Sequence, residues 1–171
     1  DPNTPLFMYL AFTAPHTPFQ APPEDIEKNR HITDPTRRTY ATMISVMDEE
    51  ISKVLAALEQ KGMRENTLVV FMSDNGGTTL AALAGEADVS KLKLPADNAP
   101  YRGGKGMLYE GGTRVTALAN WPGHIKPGAV NEVVHVVDMF PTLAGLAGAD
   151  TSAGKPLDGV DAWPAISQGK P

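Results

Sequence analysis

Asp74 and Asn75 stand side by side after an apolar run, Leu68 to Met72, and are followed by Gly76 and Gly77. A carboxylate next to an amide oxygen supplies two hard donors, the chemistry that calcium or magnesium takes as ligands. The same four residues are also ordinary turn formers, so a plain strand-to-loop turn is the competing reading. Lys105 and Arg114 are candidate anion binders within Pro100 to Val115, a stretch containing Gly103, Gly104, Gly106, Gly111 and Gly112. Those glycines let the backbone approach a ligand closely. Their spacing is not that of a Walker loop, which needs Gly-x-x-x-x-Gly-Lys followed by Ser or Thr. His16 follows a second apolar run, Leu6 to Phe12, within Thr13-Ala14-Pro15-His16-Thr17-Pro18-Phe19. The prolines hold that segment extended and stiff, and its single histidine can be structural or functional.

Positioning these groups requires a sheet whose strands end beneath them. Leu68–Met72 is short, apolar and β-rich, which predicts a strand buried on both faces. Leu6–Phe12 reads the same way. Between them, Asp34-Pro35 predicts a helix start with Asp34 as cap. Tyr40, Met43, Ile44, Met47, Ile51, Val54, Leu55 and Leu58 fall on one face up to Lys61, and Gly62 stops the helix. Glu49 and Lys53 form an expected i,i+4 pair. Strand, helix and strand make a βαβ unit with a right-handed parallel crossover. Asp-Asn then lies past a strand's carboxyl end, the rim where open α/β sheets bind ligands. Residues 20–33 read as surface loop with a short helical turn, and Thr78 to Asn98 as a long functional or mobile loop. Val115–Trp121 and Val133–Val137 read as strands. Asp138 is the expected cap of a helix from Met139 to Ala147, closed by Gly148, and a short helical piece is expected over Ala162 to Ser167.

The chain has 171 residues, 42% of them hydrophobic, and a net charge of −5. That length allows one domain with a sizeable core. With no cluster of Lys or Arg, a nucleic-acid partner is not expected. No apolar run approaches the 18 residues of a membrane-spanning helix, so none is expected. The absence of cysteine excludes disulfides and thiolate chemistry. The start, Asp-Pro-Asn-Thr-Pro, is neither a signal peptide nor an initiation site, and the chain reads as a piece of something longer.

Several motifs occur in the order seen in the sulfatases. They are Ala14-Pro15-His16-Thr17-Pro18-Phe19, Ser73-Asp74-Asn75-Gly76-Gly77, Gly104-Lys105-Gly106 with Tyr109-Glu110-Gly111-Gly112-Thr113-Arg114-Val115, Trp121-Pro122-Gly123, and Asp138-Met139-Phe140-Pro141-Thr142-Leu143. The chain resembles the C-terminal part of an arylsulfatase-type catalytic domain, and the likeness covers about Pro5 to Gln168. The resemblance implies an α/β fold, part of an alkaline-phosphatase-like α/β/α sandwich with a mainly parallel sheet and flanking helices, and a single domain over 1–171. It implies calcium (or magnesium) on Asp74 and Asn75. Lys105 then holds a sulfate oxygen, and His16 bonds the sulfate or the leaving-group oxygen. It also implies a formylglycine nucleophile, made from Cys or Ser in a Cys/Ser-x-Pro-x-Arg motif upstream of this chain. Thr33-Asp34-Pro35-Thr36-Arg37 departs from that motif, follows His16 instead of preceding it, and doubles as the helix start. The family's paired N-terminal aspartates are absent as well.

Glu110 and Arg114 read as an ion pair shaping the glycine loop, His124 and His135 as structural, and His31 as an exposed loop residue. The expected substrate is a sulfate ester. A phosphatase or phosphodiesterase of the same superfamily and a non-catalytic binding module are the alternatives. No nucleic-acid or membrane partner is expected. Self-association through surface uncovered by the missing N-terminal half, or a disordered rim loop within Thr78 to Asn98, is expected, and a periplasmic or secreted location for the parent.

Overall fold

The computed structural model describes residues 4–80 and 94–170; most of the long loop expected over Thr78 to Asn98 therefore lies outside the described residues. The helices are α1 (Pro23–Lys28), α2 (Pro35–Gln60), α3 (Glu110–Thr113), α4 (Met139–Leu146) and α5 (Trp163–Gln168). The strands β1 (Val69–Met72) and β2 (Ala117–Asn120) pair in a two-stranded sheet. The chain forms two compact units, Asp1–Arg64 with Phe71–Leu118, and Glu65–Val70 with Ala119–Pro171.

In the first unit, α2 begins as expected. The Asp34 carboxylate accepts the Arg37 N–H at 2.8 Å, and Pro35 takes the first helical position. Arg37 also donates to Pro95 O at 2.6 Å. Thr33–Arg37 thus serves as a helix start and a loop anchor. Gly62, at φ 65°, ends the helix in the left-handed conformation that glycine tolerates best. The Thr42 side chain is fully buried. Its hydroxyl donates to Arg38 O at 2.8 Å and accepts from Asn29 Nδ2 at 3.2 Å, tying α1 to α2. Lys53 pairs with Glu50, not with the expected Glu49, which lies 3.7 Å from Lys28.

Several strand expectations are corrected. The Leu6–Phe12 run is not in a strand, and Phe7 and Tyr9 are 80% and 83% exposed. A strand exists only where a neighbour satisfies its N–H and C=O groups, and no described strand lies beside this run. The expected βαβ crossover therefore has no first strand. β1 does form, but its burial alternates instead of extending to both faces, with Val70 and Met72 36% and 38% exposed. The bonds beyond the strand ends, Ser73 N to Thr116 O and Gly76 N to Gly112 O, advance along one segment while retreating along the other. That is the run of an antiparallel pair, so the described sheet is not the parallel one expected.

In the second unit, Val133–Val137 is no strand. Val136–Asp138 makes a 3₁₀ turn, in which His135 N donates to Asp138 Oδ2 at 2.8 Å and Val137 N to His135 Nδ1 at 3.2 Å. Such side-chain bonds offer the backbone an alternative to a ladder. Asp138 stands at the N-cap position of α4 as expected, but its side chain makes no cap bond to that helix and serves this turn instead, and its other oxygen accepts Val160 N at 3.0 Å. The N–H groups of Val160 and then His135 hold the Asp138 carboxyl below its ordinary pKa. Thr142, 1% exposed, donates to Asp138 O at 2.6 Å and accepts from Ala162 N at 2.8 Å, docking the start of α5. Trp121 donates to Glu65 O at 3.2 Å and stacks on His124 at 4.1 Å.

The described hydrophobic core is small. Ala162 and Ala165 are its only buried apolar side chains.

Candidate active site

The site is built in the first unit, where the loop leaving β1 meets the glycine-rich loop. Ser73 donates its hydroxyl to Asn75 O at 3.0 Å, and Asp74 Oδ1 accepts Asn75 N at 2.9 Å. The Asn75 side-chain nitrogen donates to Gly76 O at 2.9 Å. Gly76 N then donates to Gly112 O at 3.0 Å, and Gly111 N to Arg102 O at 2.9 Å. A Cβ at Gly76 would collide with Gly111 O, one at Gly104 with Gly77 O, and one at Gly112 with Met107 O. The glycines thus let backbone approach backbone, where the sequence suggested backbone approaching a ligand.

Arg114 and Glu110 form the expected ion pair at 2.9 Å, with both side chains more than half exposed. Arg114 also lies over the Tyr101 ring at 4.8 Å, and Arg102 over Tyr109 at 4.0 Å. Paired to its carboxylate and ring, Arg114 serves the loop's shape. A cavity of about 340 Å³ lined by Asp97, Asn98, Tyr101, Gly111, Arg114 and Thr116 includes none of His16, Asp74, Asn75 or Lys105.

The structure brings two of the candidates into contact. Lys105 Nζ lies 3.1 Å from His16 Nε2 across 89 residues of sequence. His16 Nδ1 is 2.8 Å from Thr17 O, a carbonyl that only accepts. Nδ1 therefore carries the hydrogen, and Nε2 presents a lone pair to the ammonium. One of three ammonium donors is used there. Lys105 is tied in turn to the Asp74-Asn75 loop, because its backbone N donates to Gly77 O at 3.2 Å. Asp74 and Asn75 supply two oxygen donors of the type a hard cation takes. Among the described residues no group of three or more His, Asp or Glu could hold a metal. A full calcium shell of about six to eight oxygens needs donors beyond these.

Asn98 was not singled out in the sequence. Its side-chain oxygen accepts Gly77 N at 2.9 Å, while its nitrogen donates to Gly77 O at 2.8 Å and to Gly103 O at 3.0 Å. No motif or spacing marks it, because its partners are backbone groups 21 and 5 residues away.

Comparison with known proteins gives this geometry its family. A family profile described as Sulfatase matches residues 1–149. Mouse arylsulfatase J is 39% identical over 99% of this chain and 26% of its own length. Rat N-acetylgalactosamine-6-sulfatase is 34% identical over 98% of this chain and 29% of its own length. Among solved structures, Ps i-CgsB in complex with k-i-k-neocarrahexaose superposes with a TM-score of 0.85 at 40% identity, over 99% of this chain and 35% of that one. The chain belongs to the sulfatase family. It spans about a quarter to a third of the length of these relatives. The relatives' α/β fold is the one this chain contributes to, and the phosphatase and binding-module alternatives are not favoured.

Proposed function

We propose that the longer protein carrying this chain hydrolyses sulfate esters, and that the substrate is a sulfated saccharide. The observation that carries this reading is the contact between Lys105 and His16, a preassembled cation with an oriented imidazole. A sulfate ester is an anion, and its cleavage is favoured by fixed donors aimed where negative charge develops. Lys105 binds a sulfate oxygen, and His16 hydrogen-bonds the sulfate or the leaving-group oxygen. Asp74 and Asn75 are the residues that would hold calcium or magnesium, and such an ion would polarise the sulfate oxygens. The nucleophile in this reading is a formylglycine outside residues 1–171. The saccharide rests on two relatives, one solved with a carrahexaose and one named for N-acetylgalactosamine-6-sulfate.

The proposed whole domain is the alkaline-phosphatase-like α/β/α sandwich, with a mainly parallel sheet to which Leu6–Phe12 is added as a strand. Until that sheet is complete, the exposed run favours association between copies of the isolated chain. A periplasmic or secreted location is proposed for the parent, and no helix among the described residues is long and apolar enough to cross a membrane.

The test is turnover of an aryl sulfate and of a sulfated galactan oligosaccharide by the longer protein. Lys105→Ala is expected to lower kcat/KM by about 100- to 1,000-fold. Wild-type turnover in that variant would overturn the assignment of the site.

A further inference from the structure

We infer that Asn98 is a positioning residue for Lys105, a clamp that sets where the Lys105 ammonium stands. The inference rests on the reading of Lys105 as the sulfate-binding cation. Asn98 grips one residue twice, accepting from Gly77 N at 2.9 Å and donating to Gly77 O at 2.8 Å. Its second donor hydrogen reaches Gly103 O at 3.0 Å. A primary amide has two donors and an acceptor oxygen, and here both donors and the oxygen are engaged with backbone. The two loops joined are the one leaving Asp74-Asn75 and the one entering Lys105. The Gly77 carbonyl that Asn98 grips is also the one that receives Lys105 N at 3.2 Å. One carbonyl thus ties the clamp to the backbone of the residue whose side chain meets His16.

The surrounding glycines fit the same account. A Cβ at Gly104 would lie 3.0 Å from the Asn98 side-chain nitrogen, and one at Gly77 would lie 3.1 Å from its side-chain oxygen. Side chains at either position would press on the amide. The chemistry also dictates which residue can stand at 98. Aspartate has nearly the same shape but no donor, and would set its carboxylate against the Gly77 and Gly103 carbonyls. Leaving one Lys105 flexible by an ångström is enough to matter, since a misplacement of that size costs about 100-fold in rate.

The experiment is a double-mutant cycle in the longer protein, read as kcat and KM for an aryl sulfate. Asn98→Asp and Asn98→Ala are each expected to lower kcat/KM by about 10- to 100-fold. Either substitution placed on Lys105→Ala is expected to lower it less than about threefold further, because a clamp that acts through Lys105 has nothing left to position. An equal loss in both backgrounds would overturn the inference, since Asn98 would then act through the fold at large. Loss of folding in both variants, seen by thermal melting, would overturn it for the same reason. If Lys105→Ala alone leaves turnover unchanged, it is the site assignment under the proposed function that fails.

Discussion

Leu6–Phe12 and Leu68–Met72 are two apolar runs that each end at a candidate site residue, yet the chain treats them differently. The second run makes β1 because β2 lies beside it, and the hydrogen bonding continues through Ser73–Thr116 and Gly76–Gly112 into the site. The first run has no strand neighbour among the described residues, and its Phe7 and Tyr9 side chains stand open to solvent. The same local propensity therefore gives two outcomes, and the deciding quantity is whether a partner for the backbone exists. Asp74 and Asn75 stand on a loop whose partners are on this chain. His16 stands beyond the first run and meets Lys105 of the glycine-rich loop.

The largest expected effect separates the two regions outright. The isolated 171-residue chain should release no sulfate from an aryl sulfate and show no micromolar calcium binding by calorimetry, whereas the longer protein does both. The two or three side-chain oxygens of Asp74 and Asn75 fall short of the about six to eight that calcium takes. Micromolar binding by the isolated chain would show that the self-contained region is enough.

Next comes Phe7→Ala made in both contexts. In the longer protein, where Phe7 is proposed to be buried, it should cost about 3–5 kcal/mol in denaturant unfolding. In the isolated chain, where Phe7 is 80% exposed, the change should stay within about 0.5 kcal/mol. The isolated chain should also scatter light as an oligomer, and Phe7→Glu with Tyr9→Glu should shift it toward monomer. A monodisperse wild-type monomer would sink that expectation.

Gly76→Ala sharpens the comparison from the other side. The added Cβ meets Gly111 and Gly112 backbone on this same chain, so a loss of about 3 kcal/mol should appear in both contexts. Asp138→Asn tests a region outside both runs. Because its folded pKa is lowered by the Val160 and His135 N–H groups, its contribution is present above the ordinary aspartate pKa and is lost as pH falls through the lowered one. The melting-temperature difference between wild type and variant should therefore shrink on acidification. The smallest effect is expected for Glu110→Gln, about 0.5 kcal/mol or less, since that pair is exposed and solvent-screened.

Local signals proved legible. Asp34-Pro35 and Gly62 bracket α2, the Glu110–Arg114 pair forms, and the strand before Asp74-Asn75 is where the apolar run placed it. Each depends on residues a few positions apart, whose interactions arise wherever the chain adopts that backbone. Of the site, the types at His16, Asp74, Asn75 and Lys105 could be read from motif order, but the contact between His16 and Lys105 could not. What only the tertiary structure decided depends on distant partners. Leu6–Phe12 lacks a strand neighbour, Val136–Asp138 closes on its own side chains, and Asn98 bridges loops far apart in sequence. Propensity describes what a segment can become. Which backbone group satisfies another across many residues is set by the packing of the chain, and no local pattern records it.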